Sequence, residues 1–202
     1  NLEIVAPELK NDGVYTLYMR CKDANGNENI DEFANRFCVE KGPDTTPTRI
    51  EATGIQNGAP VGFGTQSAGL DVYLNEPAEC KWSRQDKDYN NMEKTMQCST
   101  QIFEMNANLL YPCKANLTGI RDRQMNDFYF RCKDQPTNPD DSKRNVNADS
   151  YVFKLRGTVP LEITSISPPQ DTELFDANVL LRVVTARGAE GGNALCGYNF
   201  ED

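Results

Sequence analysis

The chain has no histidine among its 202 residues. That removes the side chain most used as general base, proton shuttle and zinc ligand. Ser-His-Asp and Cys-His catalysis are therefore excluded within these residues. No other catalytic constellation is visible, so the chain reads as non-enzymatic. Long apolar runs are missing too: none approaches the ~18 residues of a membrane-spanning helix. With 25% charged residues and a mean hydropathy of −0.64 the sequence reads as soluble, without membrane insertion. No basic, apolar-cored segment opens it, so a signal peptide is expected to be absent or already removed. Positive charge is in deficit, with 21 Lys and Arg against 30 Asp and Glu, a net charge of −9. Nucleic acid and anionic membrane are poor partners for such a surface. Helix signals are sparse, the best being short stretches around Tyr89 to Met96 and Gln101 to Leu109.

Strand signals are abundant. Leu70 to Leu74 alternates apolar and polar residues, and Phe128, Phe130 and Cys132 share one face opposite Tyr129 and Arg131. Glycine, proline and asparagine-rich turns separate such runs, the pattern of an all-β sandwich. Asn25-Gly26 predicts a tight type I′ hairpin turn. The seven cysteines are Cys21, Cys38, Cys80, Cys98, Cys113, Cys132 and Cys196. None is in CxxC spacing, so zinc is disfavoured and disulfides in an oxidising compartment are expected.

The most informative feature is a repeat. Arg20-Cys21-Lys22-Asp23 recurs as Arg131-Cys132-Lys133-Asp134, 111 residues later, each behind an aromatic-rich strand. A polar loop, an apolar strand and a proline-bearing junction follow both copies. A second match runs from Leu70–Leu74 and Cys80-Lys81-Trp82 to Val179–Val184 and Cys196-Gly197-Tyr198. A period near 110 suits a string of sandwich domains of about 100 residues each. The expected division is 1–43, the C-terminal half of one unit; 44–157, a complete unit; and 158–202, the N-terminal half of another.

Cys21-Lys22-Asp23-Ala24-Asn25-Gly26-Asn27, followed by a strand and Asp44-Thr45-Thr46-Pro47, resembles tandem bacterial Ig-like and fibronectin type III-like repeats of microbial surface proteins. Glu76 to Ser83 is similar to the middle strands of such repeats. The resemblance implies Ig-like β-sandwiches at the cell surface, outside the cell. It also implies a Cys80–Cys132 bridge between strands, Cys98–Cys113 as a staple of the intervening loop, and Trp82 as core. Under the same rule the partner of Cys21 corresponds to Cys80, and the partner of Cys196 corresponds to Cys132. Each half unit carries the cysteine the other lacks, which makes Cys21 and Cys196 an inter-unit pair. Cys38 has no evident partner and aligns near Val152.

Half a sandwich exposes an apolar face and strand edges. Three completions are open. The ends continue covalently in a longer repeat protein; or 158–202 of one subunit completes 1–43 of the next, head to tail; or the two halves of one chain meet. The last is disfavoured because the middle domain separates them by ~20–25 Å. The leading function is a structural subunit or repeat segment of an extracellular microbial filament, stalk or surface coat, self-associating through half domains. The alternative is an adhesin segment binding a host glycan or protein through its loops.

No cofactor is expected. Calcium is the one ligand with candidate oxygens, at Asp23, Asn25, Asn27, Asp31 and Glu32, or at the junction through Asp44; a solvated Asx/Gly turn is favoured over it. Asn116-Leu117-Thr118 is an N-glycosylation sequon, a pattern common by chance.

Overall fold

A computed structural model describes residues 13–39 and 44–199. Residues 1–12, 40–43 and 200–202, which belong to the expected 1–43 and 158–202 half units, lie outside the described residues. The chain divides into two compact units, 1–46 and 47–202. Among the described residues the fold is all-β, and the only helical elements are single 3-10 turns.

In the first unit β1 (Gly13–Met19) and β2 (Phe33–Val39) form an antiparallel pair. Tyr15, Leu17 and Met19 share a face with Phe37, and the Tyr15 and Phe37 rings lie 5.8 Å apart. Asn25-Gly26 does not close a two-residue hairpin. The strands are joined by the longer loop 20–32, in which Gly26, at φ 91°, ends a turn closed by its N–H to the Asp23 carbonyl at 3.1 Å. Glycine is favoured there because the left-handed region clashes with a Cβ.

The second unit holds two β-sheets packed over one core. Its strands are β3 (Ile50–Thr53), β4 (Pro60–Val61), β5 (Ser67–Leu74), β6 (Ala78–Ser83), β7 (Lys94–Thr95), β8 (Gln97–Cys98), β9 (Tyr111–Thr118), β10 (Met125–Asp134) and β11 (Tyr151–Gly157). One sheet runs β3-β5-β9-β8 and the other β4-β11-β10-β6-β7. Alternation decides what is buried. Leu70, Val72 and Leu74 of β5, and Phe128, Phe130 and Cys132 of β10, face one shared core with Trp82, Phe153 and Leu155. Phe128, Phe130 and Phe153 are fully buried, each contributing about 2–3 kcal/mol of transfer free energy. Trp82 meets Phe128 edge-on at 5.6 Å. The two expected short helices reduce to turns at Tyr89–Asn91 and Ile102–Glu104. Their backbone bonds close i to i+3, and the flanking residues return at once to extended conformation, so nothing propagates a helix.

After the sandwich come β12 (Leu161–Ser167) and β13 (Arg182–Arg187), a separate two-stranded sheet whose first strand is exposed on both faces. Residues 193–199, which contain Cys196, have no regular structure.

Candidate assembly surfaces

The structure makes the sequence repeat concrete. Met19 pairs with Phe33 in the first hairpin, and Phe130 pairs with Tyr151 in the sandwich. The two hairpins superpose in register with shifts of 111 residues on the first strand and 118 on the second. The corner beyond them repeats several hydrogen bonds. The Cys21 N–H donates to Asn29 Oδ1 at 2.5 Å, and the Cys132 N–H donates to Asn147 Oδ1 at 2.8 Å. The Asp23 N–H donates to the Asn27 carbonyl at 2.9 Å, and the Asp134 N–H to that of Asn145 at 3.0 Å. Asn27 Nδ2 donates to Asp23 at 2.8 Å, and Asn145 Nδ2 donates to Asp134 at 2.7 Å. Isolated bridges Lys22–Glu28 and Lys133–Val146 also correspond. The shared device is Arg-Cys-Lys-Asp followed by Asn-x-Asn. The aspartate accepts from the first asparagine's N–H, and the second asparagine accepts from the cysteine N–H, so these side chains satisfy backbone groups of the crossing loop.

This register changes the alignment of Cys38. It corresponds to Arg156 rather than to Val152, because the first loop is seven residues shorter and the strands, not the loops, fix the match. Cys38 therefore sits on the outward face of β2, opposite Val14, and is exposed.

The C-terminal sheet has the same pairing pattern as β3 with β5. In β3–β5, Ile50 faces Leu74 and a bulge precedes the Ala52–Tyr73 pair. In β12–β13, Ile163 faces Thr185 and a bulge precedes the Ser165–Val184 pair. Val183 thus stands where Val72 stands, and Ala194, Cys196 and Tyr198 follow in the order of Ala78, Cys80 and Trp82. A groove of about 740 Å³ is lined by Ala177, Val179, Leu181, Val183, Ala194 and Cys196, with Gly197 and Tyr198. Ala177, Val179, Leu181 and Val183 alternate along the chain, as do Ala194, Cys196 and Tyr198. Leu70, Val72, Ala78, Cys80 and Trp82, the counterparts of Leu181, Val183, Ala194, Cys196 and Tyr198, are all core in the complete unit. The groove is thus lined by residues whose sequence counterparts lie in the core of the two packed sheets. The alternation Ala177, Val179, Leu181, Val183 was available in the sequence and signals this face.

Cys80 is bonded to Cys132, and Cys98 to Cys113. Each bridge joins directly opposed residues of neighbouring strands within one sheet. Cys80 Sγ lies 3.9 Å from Cys113 Sγ, so the two bridges touch across the core. Cys21 and Cys196 are unbonded within the chain and exposed.

The Asp23 carboxylate accepts from the Asn25 and Asn27 N–H groups at 2.9 and 2.8 Å. Its pKa is held below the ordinary carboxylate value, chiefly by the Asn27 side chain. Glu32 faces Arg20 at 3.9 Å, and Asn29 Nδ2 donates to the Asp31 carbonyl. Asp44 accepts from the Thr46 N–H and hydroxyl at 3.0 and 2.9 Å. The Asp23 carboxylate thus serves a local turn.

No protein-family model matches this chain, and no curated protein matches it. Among the described residues no helix is long and apolar enough to cross a membrane.

Proposed function

We propose that the chain is a structural repeat segment of an extracellular microbial filament, stalk or surface coat. Its Ig-like units join head to tail through complementary half domains. The observation that carries this reading is the groove of about 740 Å³, lined by counterparts of core residues of the complete unit.

Its occupant is a hairpin of the Arg-Cys-Lys-Asp type, either residues 13–39 of another copy or the next repeat of a longer protein. The complete unit supplies the template. There β10 pairs with β6, Cys132 facing Cys80 and Phe130 facing Trp82. The corresponding pairs are Cys21 with Cys196 and Met19 with Tyr198. Addition of β1 gives residues 194–199 the strand partner that β6 has in the complete unit. A bond between Cys21 and Cys196 then locks successive units, in the oxidising setting that Cys80–Cys132 and Cys98–Cys113 favour.

Electron microscopy and non-reducing electrophoresis of native material test the reading. The expected result is linear assemblies and an oligomer ladder that collapses on reduction. A reduced chain that remains fully folded and monomeric at high concentration would refute it.

Binding through loops is the second reading. It is favoured by Ile102 and Leu109, 55% and 71% exposed in the segment stapled by Cys98–Cys113. A glycan array probed with 44–157 separates the two, since a spacer unit is inert.

A further inference from the structure

The sequon Asn116-Leu117-Thr118 is the only Asn-x-Ser/Thr in the chain with a residue other than proline in the middle. It is unrelated to the assembly surfaces. It lies at the end of β9, where Leu117 is fully buried while Asn116 and Thr118 point outward. Both sequon side chains are thus on the solvent face, and the intervening residue anchors the strand.

Three features of the fold clear this position. β8 pairs with β9 only at Lys114 and Cys113, so Asn116 lies beyond the end of that neighbour, on an open edge. Across the other side Asn116 faces Gly69, and a Cβ built at Gly69 would meet nothing within 4 Å. The flanking pairs on this face are small or polar, Asp71 with Lys114 and Ser67 with Thr118. Among the described residues, the Asn116 carboxamide makes no hydrogen bond and so has no structural task. Most other asparagines of the sandwich are engaged: Asn57, Asn106, Asn126, Asn138, Asn145 and Asn147 all bond to backbone or side chains.

We infer that Asn116 carries an N-linked glycan on the outer face of the β3-β5-β9-β8 sheet. The donor is a lipid-linked oligosaccharide. The Asn116 amide nitrogen attacks the anomeric carbon of the first sugar, and a C–N bond forms. The anomeric C–O bond breaks, its electron pair leaving on the lipid phosphate, and the amide proton passes to the transferase's base. Thr118 presents its hydroxyl to the transferase, as the tripeptide requires. The attached glycan covers the open edge of β9. An unpaired strand end is a site for adventitious pairing, and a bulky hydrophilic group there blocks it.

The test is a peptide map of the native secreted protein. Trypsin cleaves after Lys114 and Arg121, isolating Ala115–Arg121. The expected result is recovery of this peptide with an added sugar mass, with the bare form a minor species. In the same source, N116Q and T118V lose the mass while T118S keeps it. N116Q retains Cys80–Cys132 and Cys98–Cys113 and the parent's unfolding midpoint after enzymatic or chemical deglycosylation, which separates loss of the acceptor from misfolding. A predominantly bare Ala115–Arg121 peptide from native material overturns the inference. So does an added mass that persists in N116Q.

Discussion

The corner at Arg20–Asp23 and the corner at Arg131–Asp134 have the same four residues and share the hydrogen bonds of their cysteine and aspartate N–H groups, but not the same surroundings. The Arg131 side chain is 13% exposed and reaches Ser150, Asp86 and Asp88; that of Arg20 is 63% exposed beside Glu32. Asp134 is fully buried, whereas Asp23 is exposed. Cys132 is bonded, whereas Cys21 is free within the chain. Local sequence is thus sufficient for the corner's hydrogen bonds, and burial depends on strands supplied from elsewhere. In the complete unit β6 and the opposite sheet supply them. Among the described residues of the first unit, β1 and β2 pair only with each other.

The contrast predicts unequal costs for equal substitutions. The largest falls on the bridge. Cys80 and Cys132 are 52 residues apart, and closing such a loop contributes about 4 kcal/mol in the chain-entropy model. C80A/C132A should lower unfolding stability by that order in urea melts, while C21A leaves the sandwich transition unchanged. Equal losses from the two would break the comparison.

The asparagine of the corner comes next. Asn147 Oδ1 accepts from the Cys132 N–H, and its Nδ2 donates to the Thr48 carbonyl at 2.6 Å. N147A strands both groups in a buried setting and should cost about 2–3 kcal/mol. N29A removes the matching bond where water can replace it, and should cost under ~1 kcal/mol. Differential scanning calorimetry of the two variants measures the gap.

The smallest effect is in acid. The depressed pKa of Asp23 means that its ionised form favours the folded corner. That contribution is fully present above the ordinary aspartate value of 3.8 and is lost as pH falls through the lower folded value. N27A should raise the Asp23 pKa towards 3.8, as followed by carboxyl NMR. An unchanged titration would mean that the Asn27 side chain is not its main support.

Much of this was legible in the residues. Alternation in Leu70–Leu74 and Phe128–Cys132 marked core faces, because a strand's period of two is set by backbone geometry alone. The Arg-Cys-Lys-Asp repeat marked the hairpins. Loop geometry was less legible. Asn25-Gly26 has the composition of a two-residue turn, yet it belongs to a longer loop whose path is set by Asp23, Asn27 and Asn29. The alignment of Cys38 failed for a related reason, since unequal loops displace a match that only strand pairing restores. Contact between the two bridges was not legible either. It depends on how the sheets pack across the core, which no local pattern encodes.

Disulfide mapping of native, unreduced material distinguishes joined half units from separate ones. The expected result is a peptide in which Cys21 is bonded to Cys196 of a neighbouring copy, or in which each is bonded to its counterpart in an adjoining repeat. Quantitative recovery of both as free thiols from assembled material would contradict it.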